Sequence, residues 1–243
     1  MNRLRRGLLL LASSAMFSFS GAAGAQDVLR VATDATFPPF EYTENGKRVG
    51  FDVELIEAIA KVLNRKVEWI DIDFKGLIPG LVAKRFDVAA SAIYITDERR
   101  KVVDFTDSYY PGGLVIMTRK GDTSIKGPED LKGRKVSVQV GTKSVNFLKE
   151  NFPAVERVEV EKNQEMFQLV EIGRVDAAVT GKPAAKVYAR TRGTLQVLDK
   201  PLTVEEYGYA IRKGEAALVT QFNNALKKLK ADGTYDKLVA KYL

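Results

Sequence analysis

The sequence predicts an α/β fold arranged as two similar lobes, and two observations carry that prediction. Short runs rich in β-branched residues alternate with stretches of helical periodicity, the pattern of strands joined by crossover helices into largely parallel sheets. A faint internal repeat then aligns Leu77 to Ala92, LIPGLVAKRFDVAASA, with Met166 to Gly181, MFQLVEIGRVDAAVTG. In register, Arg85 meets Arg174, Asp87 meets Asp176 and Ala89 meets Ala178. Each copy reads as a helix, a tight turn at Arg-x-Asp and a buried strand.

Taken in order, residues 1–25 open on Arg3, Arg5 and Arg6, continue through the apolar Gly7 to Ala12, and close on Ala23-Gly24-Ala25. This is the pattern of a secretory signal peptide cleaved after Ala25. Ser13, Ser14, Ser18 and Ser20 interrupt the apolar stretch, which is short for a bilayer span of about 20 residues. Val28 to Ala32 reads as a strand. Phe51 to Leu63 sets Phe51, Leu55, Ile59 and Val62 near helical spacing and ends near Asn64, and Val67 to Ile72 returns to strand. Gly112-Gly113 and Pro128 mark turns. The repeat puts Ser91-Ala92 and Thr180-Gly181 at equivalent strand ends. Open α/β sheets take ligands outside the carboxyl ends of their strands, so two such sheets facing each other make an interlobe cleft.

Composition removes several function classes. Of the 243 residues, 45% are hydrophobic and 28% charged, as in an ordinary globular chain. The formal charge of +7 includes the three leader arginines. Lysines and acids alternate along the rest, with no basic block interleaved with aromatics, which argues against nucleic acid as a partner. The absence of cysteine leaves no lipid-attachment thiol and no disulfide, so the cleaved chain is expected free in the periplasm or medium. Without histidine or cysteine there is no Cys–His or Ser–His nucleophile, no haem attachment and no ordinary zinc site. No cofactor or metal is expected. A catalytic reading is left with carboxylates, lysines and tyrosines; Glu41, Asp34 and Glu165 are candidate acids, and nothing in their spacing singles one out.

The stretch Ser91 to Tyr110, SAIYITDERRKVVDFTDSYY, sets Arg99 and Arg100 a few residues beyond a run of small and apolar residues. A guanidinium matches a carboxylate two bonds at a time, so an arginine held in a cleft wall is an anion clamp. On this stretch alone, Asp97 to Lys101 reads more plainly as a solvated helix face.

The segments ATDATFPPFEY, GFDVELIEAIA, DFKGLIPGL, AIYITDERRKVVDFTDSYY, VGTKSVNF, GRVDAAVTGKPAA and LKADGTYDKLVAKYL, in that order, resemble the extracellular solute-binding proteins of polar amino acid ABC transporters. The resemblance spans essentially the whole chain after the leader. It implies the type II periplasmic binding protein fold, with two α/β lobes and a two-crossing hinge. Lobe 1 then spans residues 26–110 and 207–243, and lobe 2 spans residues 111–206. It implies a monomer that closes on a small carboxylate ligand, most simply a polar amino acid, and delivers it to a membrane permease.

Position by position, the resemblance makes Arg99 the clamp for the ligand α-carboxylate and leaves Arg100 to solvent. Ser91 and Ala92 become contacts beside it, with Gln139 and Thr180 on the same walls. Thr142 becomes a second-lobe contact at a helix start, where backbone N–H groups suit an anion. Phe37 and Phe74 become the aromatic pair flanking the ligand side chain, and Asp34 the acid that meets an amide or cationic side chain. From the residues alone, the two phenylalanines read as core and Asp34 as a turn former.

Three departures from the family pattern stand out. Gly181 replaces an aspartate that holds the ligand ammonium. Tyr94 replaces a small hydroxyl residue, which makes the cleft floor bulkier. Lys143 replaces a small residue and either turns inward as a second positive charge or points to water. A carboxylate lacking a free ammonium group thereby becomes a second ligand class. Two other readings share the fold: an enzyme like the periplasmic cyclohexadienyl dehydratases, and a sensory module for a membrane receptor.

Overall fold

A computed structural model of the chain describes residues 27–243, so the signal peptide expected over residues 1–25 lies outside them. The chain first runs through β1 (Val28–Thr33), β2 (Thr36–Phe37), β3 (Glu41–Glu44), β4 (Lys47–Val49), α1 (Phe51–Val62), β5 (Lys66–Asp71), α2 (Leu77–Val82), β6 (Val88–Ala89), α3 (Asp97–Arg100), β7 (Val103–Phe105) and β8 (Tyr110–Pro111). It continues through β9 (Leu114–Arg119), β10 (Lys135–Gln139), α4 (Lys143–Asn151), β11 (Glu156–Val160), α5 (Asn163–Glu171), β12 (Ala177–Gly181), α6 (Lys182–Arg192) and β13 (Leu195–Val197). It closes with β14 (Glu206–Tyr207), β15 (Ala210–Arg212), α7 (Ala216–Ala231) and α8 (Thr234–Tyr242). The strands expected from Val28 and Val67 and the helix expected from Phe51 all form within a residue of their predicted ends.

The strands build two five-stranded sheets, ordered β5-β1-β6-β15-β7 and β11-β10-β12-β9-β13. Between them, β8 and β14 pair antiparallel as the two crossings from one lobe to the other. The sheets are mixed, not largely parallel as the sequence suggested. β1 is parallel to β5 and β6, and β10 is parallel to β11 and β12. β15 and β9 are antiparallel to their neighbours. The reason lies in the crossings. Strands of the βα units run toward the cleft and end there, whereas β9 and β15 leave the crossings at the cleft and run away from it. Leu114, at the start of β9, therefore pairs with Gly181 at the end of β12, and Ala210 pairs with Ala89 in the same way.

The sequence repeat has a structural counterpart. Asp87 N donates to Arg30 O at 2.9 Å, while its carboxylate accepts from Arg30 N at 3.0 Å. Asp176 repeats both bonds on Lys135, each at 2.8 Å. Each aspartate thus ties the entry of its strand, β6 or β12, onto the parallel neighbour β1 or β10, with both backbone groups satisfied.

Each lobe has its own apolar cluster, one around Leu77, Phe86 and Phe105 and the other around Met117, Phe167 and Val170. A third cluster joins them. It runs from Phe51, Leu55 and Ile59 of α1 through Tyr109, Tyr207 and Tyr209 to Leu114 and Val136 of the other lobe. The Tyr109 and Tyr209 rings stack at 4.4 Å. The crossings are therefore packed into a common core rather than left as bare linkers.

Candidate functional site

The ends of β1, β6, β10 and β12 open onto one cleft. All twelve expected site residues lie on its walls: Asp34, Phe37, Phe74, Ser91, Ala92, Tyr94, Arg99, Gln139, Thr142, Lys143, Thr180 and Gly181. The same walls include Glu41, Ser144, Asn163, Met166, Val179 and Tyr207. The space left between them is about 40 Å³, room for a few water molecules.

Arg99 is held from both sides of the cleft. Its Nη1 donates to Tyr94 O at 2.9 Å and its Nη2 to Gly141 O at 3.2 Å, the second bond reaching the other lobe. Thr96 caps α3 and accepts from Arg99 N at 3.2 Å, which sets the direction of the side chain. The guanidinium carbon lies 5.7 Å from the Phe74 ring centroid, a cation–π arrangement. Burial pulls the guanidinium down to about 10, so it remains charged at neutral pH. Among the described residues no carboxylate forms an ion pair with Arg99, although Glu98 and Glu205 raise its pKa from nearby. Five N–H donors with two spent leave a charged fork for an incoming anion. Arg100 is exposed, with its guanidinium 5.8 Å from the Phe105 ring, off the cleft walls.

Gly141 brings the lobes together. At φ 78° it adopts a left-handed conformation, and a Cβ there would lie 2.8 Å from Lys75 Cα of the facing lobe. Glycine is needed on both counts. Thr142 caps α4 in an extended conformation, with its hydroxyl donating to Gln139 O at 2.7 Å. Lys143 turns inward but adds no unpaired positive charge. It lines the cleft, and its ammonium pairs with Glu205 at 2.9 Å.

Beneath the cleft lies a buried acid pair. Asp34 N donates to Ser91 Oγ at 3.2 Å, and Ser91 Oγ donates to Glu41 Oε1 at 3.0 Å. Asp52 Oδ2 accepts from Ala92 N at 2.9 Å and from Tyr109 Oη at 2.8 Å. The first of these bonds fixes Ala92 in a left-handed conformation, φ 42°, rare for a residue with a side chain. Glu41 Oε2 and Asp52 Oδ1 have no partner if both groups are ionised. A proton held between Glu41 and Asp52 would give both oxygens a partner. Burial, and next the Asp52 charge, push Glu41 well above its ordinary value, while burial lifts Asp52 to about 7. Glu165, the third candidate acid, is exposed on α5 and lies off the cleft walls.

Tyr94 and Tyr207 fill the floor. Their rings stack at 4.5 Å, and Tyr207 Oη donates to Tyr94 Oη at 3.0 Å. Tyr94 Oη also bonds Gly113 O at 3.0 Å and accepts from Gly113 N at 3.1 Å. Tyr207 escaped sequence reasoning because it arrives from the second crossing, far from every cleft motif. Lys162 escaped as well, as one lysine in a charged stretch, yet its Nζ lies 3.1 Å from Asp34 Oδ1 and 2.7 Å from Asp73 Oδ1.

Two α/β lobes joined by paired crossings, with an anion-ready arginine in the cleft between them, define a two-lobed solute-binding protein of the type II fold. The pattern of bacterial extracellular solute-binding proteins, family 3, matches residues 29–243, and the chain belongs to that family. It is 35% identical to the arginine-binding extracellular protein ArtP of Bacillus subtilis (strain 168), over 97% of this chain and 96% of that protein. The structure of an ancestral arginine-binding protein bound to arginine is 43% identical, with a TM-score of 0.86 over 90% of this chain and 99% of that one. The ancestral amino acid-binding protein AncCDT-1, described as a precursor of cyclohexadienyl dehydratase, is 44% identical, with a TM-score of 0.84 over 88% and 95%.

Proposed function

We propose that this protein is the periplasmic substrate-binding component of an ABC uptake system, taking up a small polar amino acid or amino-acid derivative and presenting it to a membrane permease. The carrying observation is Arg99, a charged fork fixed by carbonyls of both lobes, stacked on Phe74 and without a carboxylate of its own among the described residues. In this reading Arg99 clamps the ligand α-carboxylate. Ser91, Ala92 and Thr142 flank it, and Phe37 and Phe74 face the side chain. Because ligand contacts from both lobes favour the closed arrangement, closure is the signal the permease reads. The lobes divide at 110/111 and 206/207, within the paired crossings, and the protein acts as a monomer after loss of residues 1–25. Binding ends without chemistry.

A dehydratase is the second reading, favoured by Glu41, a protonated acid on the cleft wall. Its carboxyl is buried and engaged by Ser91 beside Asp52 rather than free for a substrate, which weighs against it. A thermal-shift screen across amino acids, keto acids, dicarboxylates and opines tests the binding reading, since a ligand at 100 times its Kd adds about 2.7 kcal/mol. Turnover of a cyclohexadienyl substrate, with no stabilisation by any amino acid, would reverse the assignment.

A further inference from the structure

Asp34 sits 2% exposed on the cleft wall, and its carboxylate is fully spoken for by the protein itself. Oδ1 accepts from Thr36 Oγ1 at 3.1 Å and from Lys162 Nζ at 3.1 Å. Oδ2 accepts from Phe74 N at 3.2 Å and from Gln139 Nε2 at 2.7 Å. A carboxylate offers about four lone-pair sites, and here four donors occupy them. Two of those donors, Lys162 and Gln139, come from the facing lobe. Gln139 is itself oriented by Asn163 Nδ2, which donates to its Oε1 at 2.8 Å, and by Glu161 O, which accepts from its Nε2 at 2.9 Å.

Lys162 lines a depression with Asp34, Thr36 and Asp73 rather than the cleft itself, and from there it already supplies the cation that a ligand side chain would have to supply to pair with Asp34. It is anchored there by Asp73 as well, at 2.7 Å. Although burial lowers its pKa, the bonds to Asp73 and Asp34 outweigh that and raise it, so the cation is permanent at neutral pH.

We propose that Lys162 is a specificity-determining residue, an internal counter-ion that neutralises Asp34 and thereby excludes cationic side chains from the cleft. The proposal rests on the amino-acid-binding reading above and narrows it to ligands with an uncharged polar side chain. A lysine or arginine ligand finds Asp34 without a free acceptor and adds a positive charge beside Lys162 and Arg99. Like-charge juxtaposition of this kind is how binding sites reject wrong partners. The chain therefore differs in preference from the arginine-binding proteins it is similar to.

The test is calorimetric titration of L-glutamine, L-arginine and L-lysine into the wild-type protein, Lys162→Met and Lys162→Gln, with thermal unfolding confirming that each variant is folded. The expected result is that wild type prefers glutamine over arginine, and that both substitutions shift the arginine-to-glutamine affinity ratio toward arginine by about tenfold or more. An unchanged ratio overturns the proposal, as does tight arginine binding by wild type with Lys162 in place. If wild type binds none of the three but Lys162→Met binds arginine, the amino-acid reading of the native protein fails while the role of Lys162 stands. If no variant binds any of them, both fall.

Discussion

A Cβ placed on Gly181 would lie 2.4 Å from the Tyr207 hydroxyl and 3.1 Å from that of Tyr94. Two tyrosine hydroxyls therefore occupy the space where a side chain at position 181 would begin. In the family pattern an aspartate here holds the ligand ammonium, so its replacement by glycine would leave a gap, with either another group meeting the ammonium or the ligand carrying none. Instead the gap is filled, and Asp34 is committed to Lys162 and Gln139. Among the described residues the Thr180 hydroxyl, on the cleft wall, makes no hydrogen bond and is the free acceptor nearest in sequence to Gly181.

Gly181→Ala should destabilise the closed protein by about 1–3 kcal/mol through overpacking. Adding Tyr207→Phe, which removes the oxygen nearest the new methyl group, should recover part of that loss. Urea unfolding of the two single variants and the double variant gives the coupling, expected at about 1 kcal/mol. Strict additivity would mean that the floor yields by another route. By the same geometry, Gly181→Asp alone should weaken ligand binding, not create an ammonium site.

Arg99→Ala should weaken the ligand found by screening by about 3 kcal/mol, since a charge-assisted fork is lost. Stability without ligand should change by less than about 1 kcal/mol, because Arg99 bonds only two carbonyls. Arg99→Lys should rescue binding incompletely, for a point charge cannot match a planar carboxylate twice. Calorimetry decides, and undiminished affinity in a folded Arg99→Ala protein would remove the clamp.

Phe37 and Phe74 should separate. Phe37 is buried and packs against Phe40 at 5.9 Å within the common core, so Phe37→Ala should cost about 3 kcal/mol of stability before any ligand is added. Phe74 is half-buried beneath Arg99. Its truncation should cost less than about 1.5 kcal/mol of stability and act mainly on affinity. Equal loss of melting temperature in both variants would assign Phe74 to the core as well.

Stability should fall as pH rises through the neutral range. The folded protein keeps protons on Glu41 and Asp52, raised well above the ordinary value and to about 7, that the unfolded chain releases near pH 4. Below pH 4 both states hold these protons and the pair contributes no slope. Above it, the folded state binds more protons, so stability declines until the folded groups ionise. Glu41→Gln preserves an acceptor for Ser91 and a donor for Asp52 while removing one of the two titrations. Its slope between pH 5 and pH 8 should be shallower, by up to about 1.4 kcal/mol per pH unit. Parallel urea-denaturation profiles for wild type and Glu41→Gln would show that Glu41 is ionised in the folded state.

The sequence alone determined what depends on near neighbours: the alternation of strand and helix, the two Arg-x-Asp turns, the strand end at Gly181, and the helix that carries Arg99. The counterpart strand β6 stops at Ala89, short of the expected Ser91-Ala92, because the chain turns there through the left-handed Ala92. Periodicity and turn chemistry act over a few residues, so these features are written locally. Strand direction was misjudged because the polarity of β9 and β15 follows from the crossings, not from their own residues. The chemistry of the cleft was decided by tertiary structure. Lys162 meets Asp34 across 128 positions of chain, Tyr207 meets Tyr94 across 113, and Tyr109 meets Asp52 across 57. Whether a charge in such a cleft is free for a ligand or already spent depends on which distant donor the fold places beside it. A hydrogen bond reports distance in space, and the spacing of residues along the chain carries no record of it.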